Sequence, residues 1–248
     1  MLYVILPRTK MRLALAAAMI LATSATPALA QYASGVSGSV EIASDERRRG
    51  LSWSEGDPVV RGTISAPVAE GLSLDASAVS LWGSNRHGNA DAVIDVGPTF
   101  IQQVGGWRLS GEARYHMFPG ASDQGYGELG AGAGFLIGPA SIDLFASYAP
   151  SQSAIGGDNL YLSASATAGV PGTPFTLSAR IGRSSGDVHD PLQAARLRPD
   201  GSYWDYGFGI DYLKERWTAG VRYADSSIAG TGSRHAGSSL IGRLALGF

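Results

Sequence analysis

The 248-residue chain has no cysteine and little charge: Asp, Glu, Lys and Arg together make up 16% of it. Without cysteine, disulfide scaffolds, thiolate zinc sites, iron–sulfur clusters and thiol catalysis are all excluded. The charged fraction lies well below the roughly 25% of ordinary soluble proteins. A formal net charge of −2 leaves no basic footprint for nucleic acid. After Ala30 there is no apolar run of about 18 residues, the length that marks a membrane helix. The nearest approach, from Leu160 to Ala179, is broken by Val170-Pro171-Gly172-Thr173-Pro174 and laced with Ser and Thr. It reads as two strands and a tight turn. Glycine, by contrast, is abundant at 34 residues, beside a mean hydropathy of +0.03. Such a chain must hide apolar surface without long apolar runs.

Residues 1–30 read as an export signal. Arg8, Lys10 and Arg12 precede an apolar stretch from Leu13 to Leu21, and Ala28-Leu29-Ala30 supplies the small residues of a cleavage site. Translation starts at Met1 or at Met11, since the segment from Met11 keeps Arg12 and the whole apolar region. Cleavage after Ala30 removes three cations and no acid, leaving 16 Lys+Arg against 21 Asp+Glu, a net charge of −5. Lys214 is then the single lysine beside 15 arginines, through either a preference for guanidinium chemistry or codon bias. The expected organisation is a Sec-type signal peptide over 1–30 and one barrel domain over 31–248.

Alternation is the strongest signal in the mature chain. From Gly106 to Phe118, Trp107, Leu109, Gly111, Ala113, Tyr115 and Met117 alternate with Arg108, Ser110, Glu112, Arg114 and His116. One face of that strand is apolar and the other polar. About twelve such segments recur, at 34–43, 59–66, 72–82, 92–101, 106–117, 126–137, 140–149, 159–169, 174–183, 203–213, 216–225 and 239–248. Most are near ten residues, the length of a tilted membrane strand. Their connections alternate long and short. Short periplasmic turns and longer extracellular loops are the pattern of an outer-membrane barrel. The expected fold is therefore all-β, a transmembrane antiparallel up-and-down barrel of about twelve strands. An apolar outer face also requires closure, because an open edge leaves unpaired amides in hydrocarbon.

Aromatic placement gives an independent orientation. Phe100, Trp107, Phe135, Phe175, Tyr212, Trp217 and Phe248 fall beside short turns, whereas Trp82, Tyr115, Tyr126, Tyr148, Trp204 and Tyr223 fall near long loops. These two sets read as girdles at the two membrane interfaces. Phe248 closes an alternating final strand and reads as the signal recognised by the barrel-assembly machinery.

After the first strand comes Ser44-Asp45-Glu46-Arg47-Arg48-Arg49-Gly50-Leu51-Ser52-Trp53-Ser54, then Gly56-Asp57-Pro58. This motif resembles the TorF-like porin family, in which Ser-Asp, an aromatic, Arg-x-Arg-Gly-x-Ser and a Pro-led second strand follow the signal peptide and first strand. Ser44, Asp45, Arg47, Arg49, Gly50, Ser52 and Pro58 match; Glu46 stands where the family usually has an aromatic. The resemblance covers about twenty residues and implies an outer-membrane barrel of a Gram-negative bacterium that acts as a porin. Physically, Asp45, Arg47 and Arg49 either pair within the barrel mouth and fold the loop inward, or form a solvated charge run.

The same parity assigns a lumen lined by Arg61, Arg108, Arg114, Arg180, Arg222 and Arg243 on one side of the charge balance. Glu41, Asp75, Asp95, Glu112, Glu128, Asp143, Asp205 and Asp211 stand on the other. Glu41 beside Arg61, Arg114 beside Glu128 and Asp211 beside Arg222 are the expected pairs. They either fill the lumen or form a ladder that selects solutes. Twelve strands fall between a side-chain-filled eight and an open sixteen, so any channel is narrow.

Other chemistries have weaker support. His116 with Glu112 and Ser110 lies along one strand rather than in a triad. Asp187-Val188-His189-Asp190 and His235 are ordinary oxygen-rich loops with an occasional His. The glycine run Gly130-Ala131-Gly132-Ala133-Gly134 precedes no helix, so it reads as relief of crowding rather than as a nucleotide loop. The expected function is passive diffusion of small solutes, with no cofactor, metal or catalytic residue. A non-conducting structural or adhesive barrel and a lipid-modifying enzyme are the rivals. The expected partners are outer-membrane lipid, the assembly machinery, periplasmic chaperones and small solutes, and no nucleic acid.

Overall fold

A computed structural model describes residues 35–229 and 235–248. The signal-peptide reading, the cleavage after Ala30 and the choice between Met1 and Met11 lie outside the described residues. The alternating segments form β1 (Ser37–Ala43), β4 (Val59–Ala69), β5 (Leu72–Ser84), β6 (Ala90–Val104), β7 (Trp107–Met117), β8 (Tyr126–Ile137), β9 (Ala140–Gln152), β10 (Gly157–Gly169), β11 (Phe175–Ser185), β12 (Tyr203–Lys214), β13 (Trp217–Ser226) and β14 (Ser239–Gly247). Each pairs antiparallel with its sequence neighbours, and β1 pairs with β14, closing a twelve-stranded barrel. At that seam Gly38 and Phe248 exchange backbone hydrogen bonds of 3.0 and 2.9 Å. Closure leaves no edge to be satisfied by solvent, as the apolar exterior demands.

Two further strands, β2 (Arg47–Arg48) and β3 (Leu51–Ser52), form a small hairpin inside the first long loop. The sequence pattern gave no sign of them. The connections β6–β7 and β8–β9 are two-residue turns, where Gly105 and Gly138 both take φ +58°. Such turns require positive φ to match strand twist, which glycine adopts without steric cost. At the other end the connections are longer. The loop after β11 contains a single helical turn, α1 (Pro191–Ala194), whose N-cap Asp190 accepts from the amides of Leu192 and Gln193.

Parity fixes which side chains face out. Leu129, Leu136 and Phe208 are each at least 60% exposed, a placement tolerable only against an apolar medium. The short-turn girdle holds at Phe100, Trp107, Phe135, Phe175, Tyr212, Trp217 and Phe248, all exposed, with Trp107–Phe135 and Phe175–Tyr212 in ring contact at 5.2 and 5.5 Å. The long-loop girdle is partly corrected. Tyr126 shares the parity of Glu128, points inward and is buried against His116 and Phe118. Trp82 sits at a β-bulge between Ser80 and Ser84 with φ +54°, and its indole donates to the Pro58 carbonyl at 2.5 Å.

Candidate functional site: the lumen and its inward loop

The loop from Ser44 to Pro58 does not extend into solvent; it enters the mouth of the barrel. Asp45 organises its base by accepting from Ser52 Oγ at 2.5 Å, Ser54 Oγ at 2.9 Å and Arg47 Nε at 2.9 Å. Arg47 also donates to the carbonyls of Gly50 and Gly237 at 3.0 and 2.7 Å, fastening the hairpin to the segment before β14. Pairing thus closes the hairpin with side chains as well as with two strand pairs, the role of the Ser-Asp…Arg-x-Arg-Gly-x-Ser spacing.

The hairpin then reaches across the lumen. Arg48 bridges Glu46 and Asp95 at 2.8 Å each, and its guanidinium lies over the Trp53 ring at 4.3 Å. Arg49 donates to both Glu128 oxygens at 2.9 and 2.7 Å and to Ser147 at 3.3 Å, and stacks on Tyr161 at 4.7 Å. Its own carbonyl accepts from Tyr203 Oη at 2.9 Å. The contacted strands β6, β8, β9, β10 and β12 lie on the side of the ring away from β1, so the hairpin spans the bore. Gly50 makes the tip possible: it takes φ +77°, and a Cβ there would lie 2.8 Å from Asp205 Cβ. Burial works against the charge on Arg48, yet the Asp95 and Glu46 carboxylates outweigh it and hold its pKa above the ordinary arginine value.

Above the hairpin the long loops form an apolar core. Leu51, Trp53, Phe118, Tyr126, Ile155, Leu197 and Tyr203 are all buried in one cluster. His87, itself wholly buried, stacks on Phe118 and meets the tilted Trp53 ring, at centroid distances of 4.8 and 4.3 Å. Arg196 covers Phe118 and bonds the Ala154 carbonyl, the Gln124 carbonyl and His87 Nδ1. Burial first, then the charges of Arg196 and Arg86, push His87 well below the ordinary histidine pKa; burial likewise lowers Arg196 to about 10. None of Arg86, His87, Arg196 and Arg198 carried a sequence signal, because loops lack the alternation that sorts strand residues.

Below the hairpin the lumen is polar. Glu41 is in register with Arg61 and 3.6 Å from it, as expected; Arg61 also pairs with Glu46. The other two expected pairs are corrected. Arg114 is in register with Glu128 but bonds Asp75, Thr99 and Glu112, while Glu128 is taken by Arg49 and His116. Asp211 pairs with Arg243 at 2.7 Å rather than with Arg222, which faces Gly209 in the ladder. Long guanidinium side chains lean diagonally, so the directly opposite residue is not always the partner. Arg180 holds Asp205 at 3.0 Å, and Arg108 holds Asp143 at 2.6 Å near the short turns.

The glycine run of β8 makes room inside. Phe145 points into the lumen, and a Cβ at Gly130 would lie 2.6 Å from its ring and 2.8 Å from Glu112 Cγ. His116, the residue of the enzymatic rival, is held between Asp95 at 2.6 Å and Glu128 at 3.4 Å. Both imidazole nitrogens therefore face carboxylates rather than Ser110. Among the described residues no group of three or more His, Asp or Glu is arranged to hold a metal ion.

Residues 28–238 match the family described as bacterial proteins of unknown function, Gcw_chp. The chain belongs to that family. No curated protein matches the sequence. Among solved structures the chain is similar to the NanC porin, with TM-score 0.59 and 12% identity over 86% of this chain and 99% of that one. It is also similar to the KdgM porin, with TM-score 0.57 and 8% identity over 86% and 98%. A Pseudomonas putida F1 outer-membrane channel gives TM-score 0.54 and 10% identity over 86% and 95%. At these identities the likeness is one of fold: the chain has the closed twelve-stranded barrel of outer-membrane porins.

Proposed function

We propose that the protein is an outer-membrane channel of the TorF-like kind, through which small solutes diffuse passively past a bore set by the loop 44–58. The observation that carries this reading is the division of the lumen. Beneath the inward hairpin lie two cavities of about 260 and 580 Å³, whose lining includes charged and hydroxyl side chains from most of the wall. A barrel that only needed to be solid would fill that space, as smaller barrels do. Charged rings on a water-filled path are the means by which such barrels sort solutes. Outer-membrane lipid meets the apolar belt. The assembly machinery and periplasmic chaperones deliver the chain, with Phe248 at the seam as the signal residue.

The buried core of the long loops favours a second reading, a non-conducting barrel whose work is done by its outer surface. Single-channel recording of the purified protein in a planar bilayer separates the two. The channel reading expects discrete current steps at low membrane potential. A silent bilayer containing folded, heat-modifiable protein overturns it in favour of the closed barrel.

A further inference from the structure

Six lumen-facing arginines on the barrel strands differ in one respect. Arg61, Arg108, Arg114, Arg180 and Arg243 each hold at least one carboxylate. Arg222 of β13 holds none among the described residues. The acids nearest in charge, Glu41 and Asp211, are both taken by Arg243, at 2.9 and 2.7 Å. Its ladder partners are Gly209 on β12 and Ile241 on β14, so neither neighbour offers an acceptor side chain. Arg222 is exposed to the lumen and, among the described residues, bonds no carboxylate, so its guanidinium donors are open to an incoming anion.

The surroundings of Arg222 complete a site. It lines the cavity of about 260 Å³, where five arginines face Glu41, Asp45 and Glu46, and where Arg180, Gly207 and the hydroxyl residues Ser165, Thr167 and Ser178 stand near it. Arg180 lies opposite Gly207 on β12, as Arg222 lies opposite Gly209. Two cations thus flank a strand that presents no side chain between them. From strand spacing and rise, their backbones stand about 12 Å apart, a gap that two arginine side chains close to the width of one small ion. A Cβ at Gly207 would meet only the Tyr223 carbonyl, at 3.7 Å, so the space over that residue is open. Arg180 keeps 39% of its side chain exposed despite its bond to Asp205, leaving donors for a second acceptor.

The larger cavity, lined by Asp75, Asp95, Glu112 and Glu128 against Arg61, Arg114 and His116, has more acids than arginines, whereas the cavity of Arg222 has more arginines than acids. An anion is therefore favoured in the cavity of Arg222. We propose that the lumen contains a binding site for a small oxyanion, a phosphate or a carboxylate, held between Arg222 and Arg180 over Gly207 with the hydroxyls of β10 and β11 beside it. The planar guanidinium fork suits two oxygens of such a group and has no comparable geometry for chloride. This inference rests on the channel reading for its consequence, a preferred solute class, but not for the binding itself.

Inorganic phosphate is the probe, and the full chain refolded in detergent or a planar bilayer is the material. In a chloride electrolyte, added phosphate should reduce the single-channel current in a saturable way. Arg222→Gln should weaken that block roughly tenfold, the loss of one charge-assisted interaction. Arg108→Gln, near the short turns, should leave it unchanged. Gly207→Glu places a carboxylate in the gap and should abolish the block, giving a second readout if Arg222→Gln does not fold. Equal block in wild type, Arg222→Gln and Gly207→Glu overturns the site, as does absence of block in a conducting wild type. If the wild type carries no current, the channel reading fails, and equilibrium dialysis of radiolabelled phosphate decides the site. Saturable binding weakened by either substitution supports it, and no binding overturns it.

Discussion

The two ends of the lumen are held by the same chemistry under opposite conditions. At the long-loop end, Glu46 is 1% exposed and shared by Arg48 and Arg61, beneath a core of Leu51, Trp53 and Phe118. At the short-turn end, Arg108 meets Asp143 with 55% of the arginine side chain exposed. Exposed pairs are screened and contribute little, whereas a buried charge that loses its partner is costly. The hairpin is therefore anchored by buried pairs of its own, and its residues lie outside the twelve-stranded ladder.

Removing the hairpin tests that division most severely. Replacing residues 45–54 with a short Gly-Ser linker should leave the twelve-stranded ladder intact, since none of these residues belongs to it. Single-channel conductance should rise several-fold, because the narrowest segment of a pore dominates its resistance. Unchanged conductance in a folded, heat-modifiable variant would show that the hairpin does not limit the path.

A single carboxylate should release it partially. Glu46→Ala strips one partner from each of Arg48 and Arg61, and leaves Arg48 with Asp95 alone inside the core. Breaking a buried pair costs roughly 3 kcal/mol, which corresponds to about a 150-fold larger population of the withdrawn loop. Protease cleavage within residues 44–58 of micelle-solubilised protein reads that population. A cleavage rate equal to wild type would show that the apolar contacts of Leu51 and Trp53 hold the hairpin unaided.

Acid should loosen the same end through His87. Its folded pKa lies well below the ordinary 6.5, first because of burial and then because Arg196, Arg86, Arg48 and His116 surround it. The opened loop takes up a proton that the closed one refuses, so closure weakens as pH falls below about 6.5, by at most roughly 1.4 kcal/mol per unit. The emission difference between wild type and Trp53→Phe isolates the ring that touches His87. It should change below pH 6.5 in wild type and stay flat in His87→Gln; the same profile in both would assign the transition to another group.

How much of this was legible follows from range. The wall was legible because alternation is local: the segment read at 59–66 is Val59–Ala69, and that read at 126–137 is Tyr126–Ile137. Tyr126 was misplaced only where its aromatic character was weighed above the parity it shares with Glu128. The inward Phe145 was likewise readable from its parity with Asp143 and from the glycines facing it across the strand pair. The destinations of the hairpin were not readable. Arg48 finds Asp95 and Arg49 finds Glu128 and Ser147 across gaps of 47, 79 and 98 residues, and nothing local in the sequence specifies such partners. A hint existed in the alternation of Glu46 with Arg48 and of Ser52 with Ser54, which turns two polar pairs to one side of the loop.

The smallest effect is expected at the short-turn end. Arg108→Ala removes the bond to Asp143, whose other contact is Ser141 Oγ at 3.2 Å. Both partners are partly exposed, so the freed carboxylate recovers hydration in place of the guanidinium. Unfolding in urea should shift by less than about 1 kcal/mol, and the cleavage of residues 44–58 should not change, because among the described residues this pair bonds no residue of the hairpin. The reversal potential in a salt gradient should move slightly towards cations, an effect that shrinks as the Debye length contracts to about 3 Å near 1 M salt. A loss of stability comparable to that of Glu46→Ala would mean that the two ends are energetically alike and that burial does not separate them.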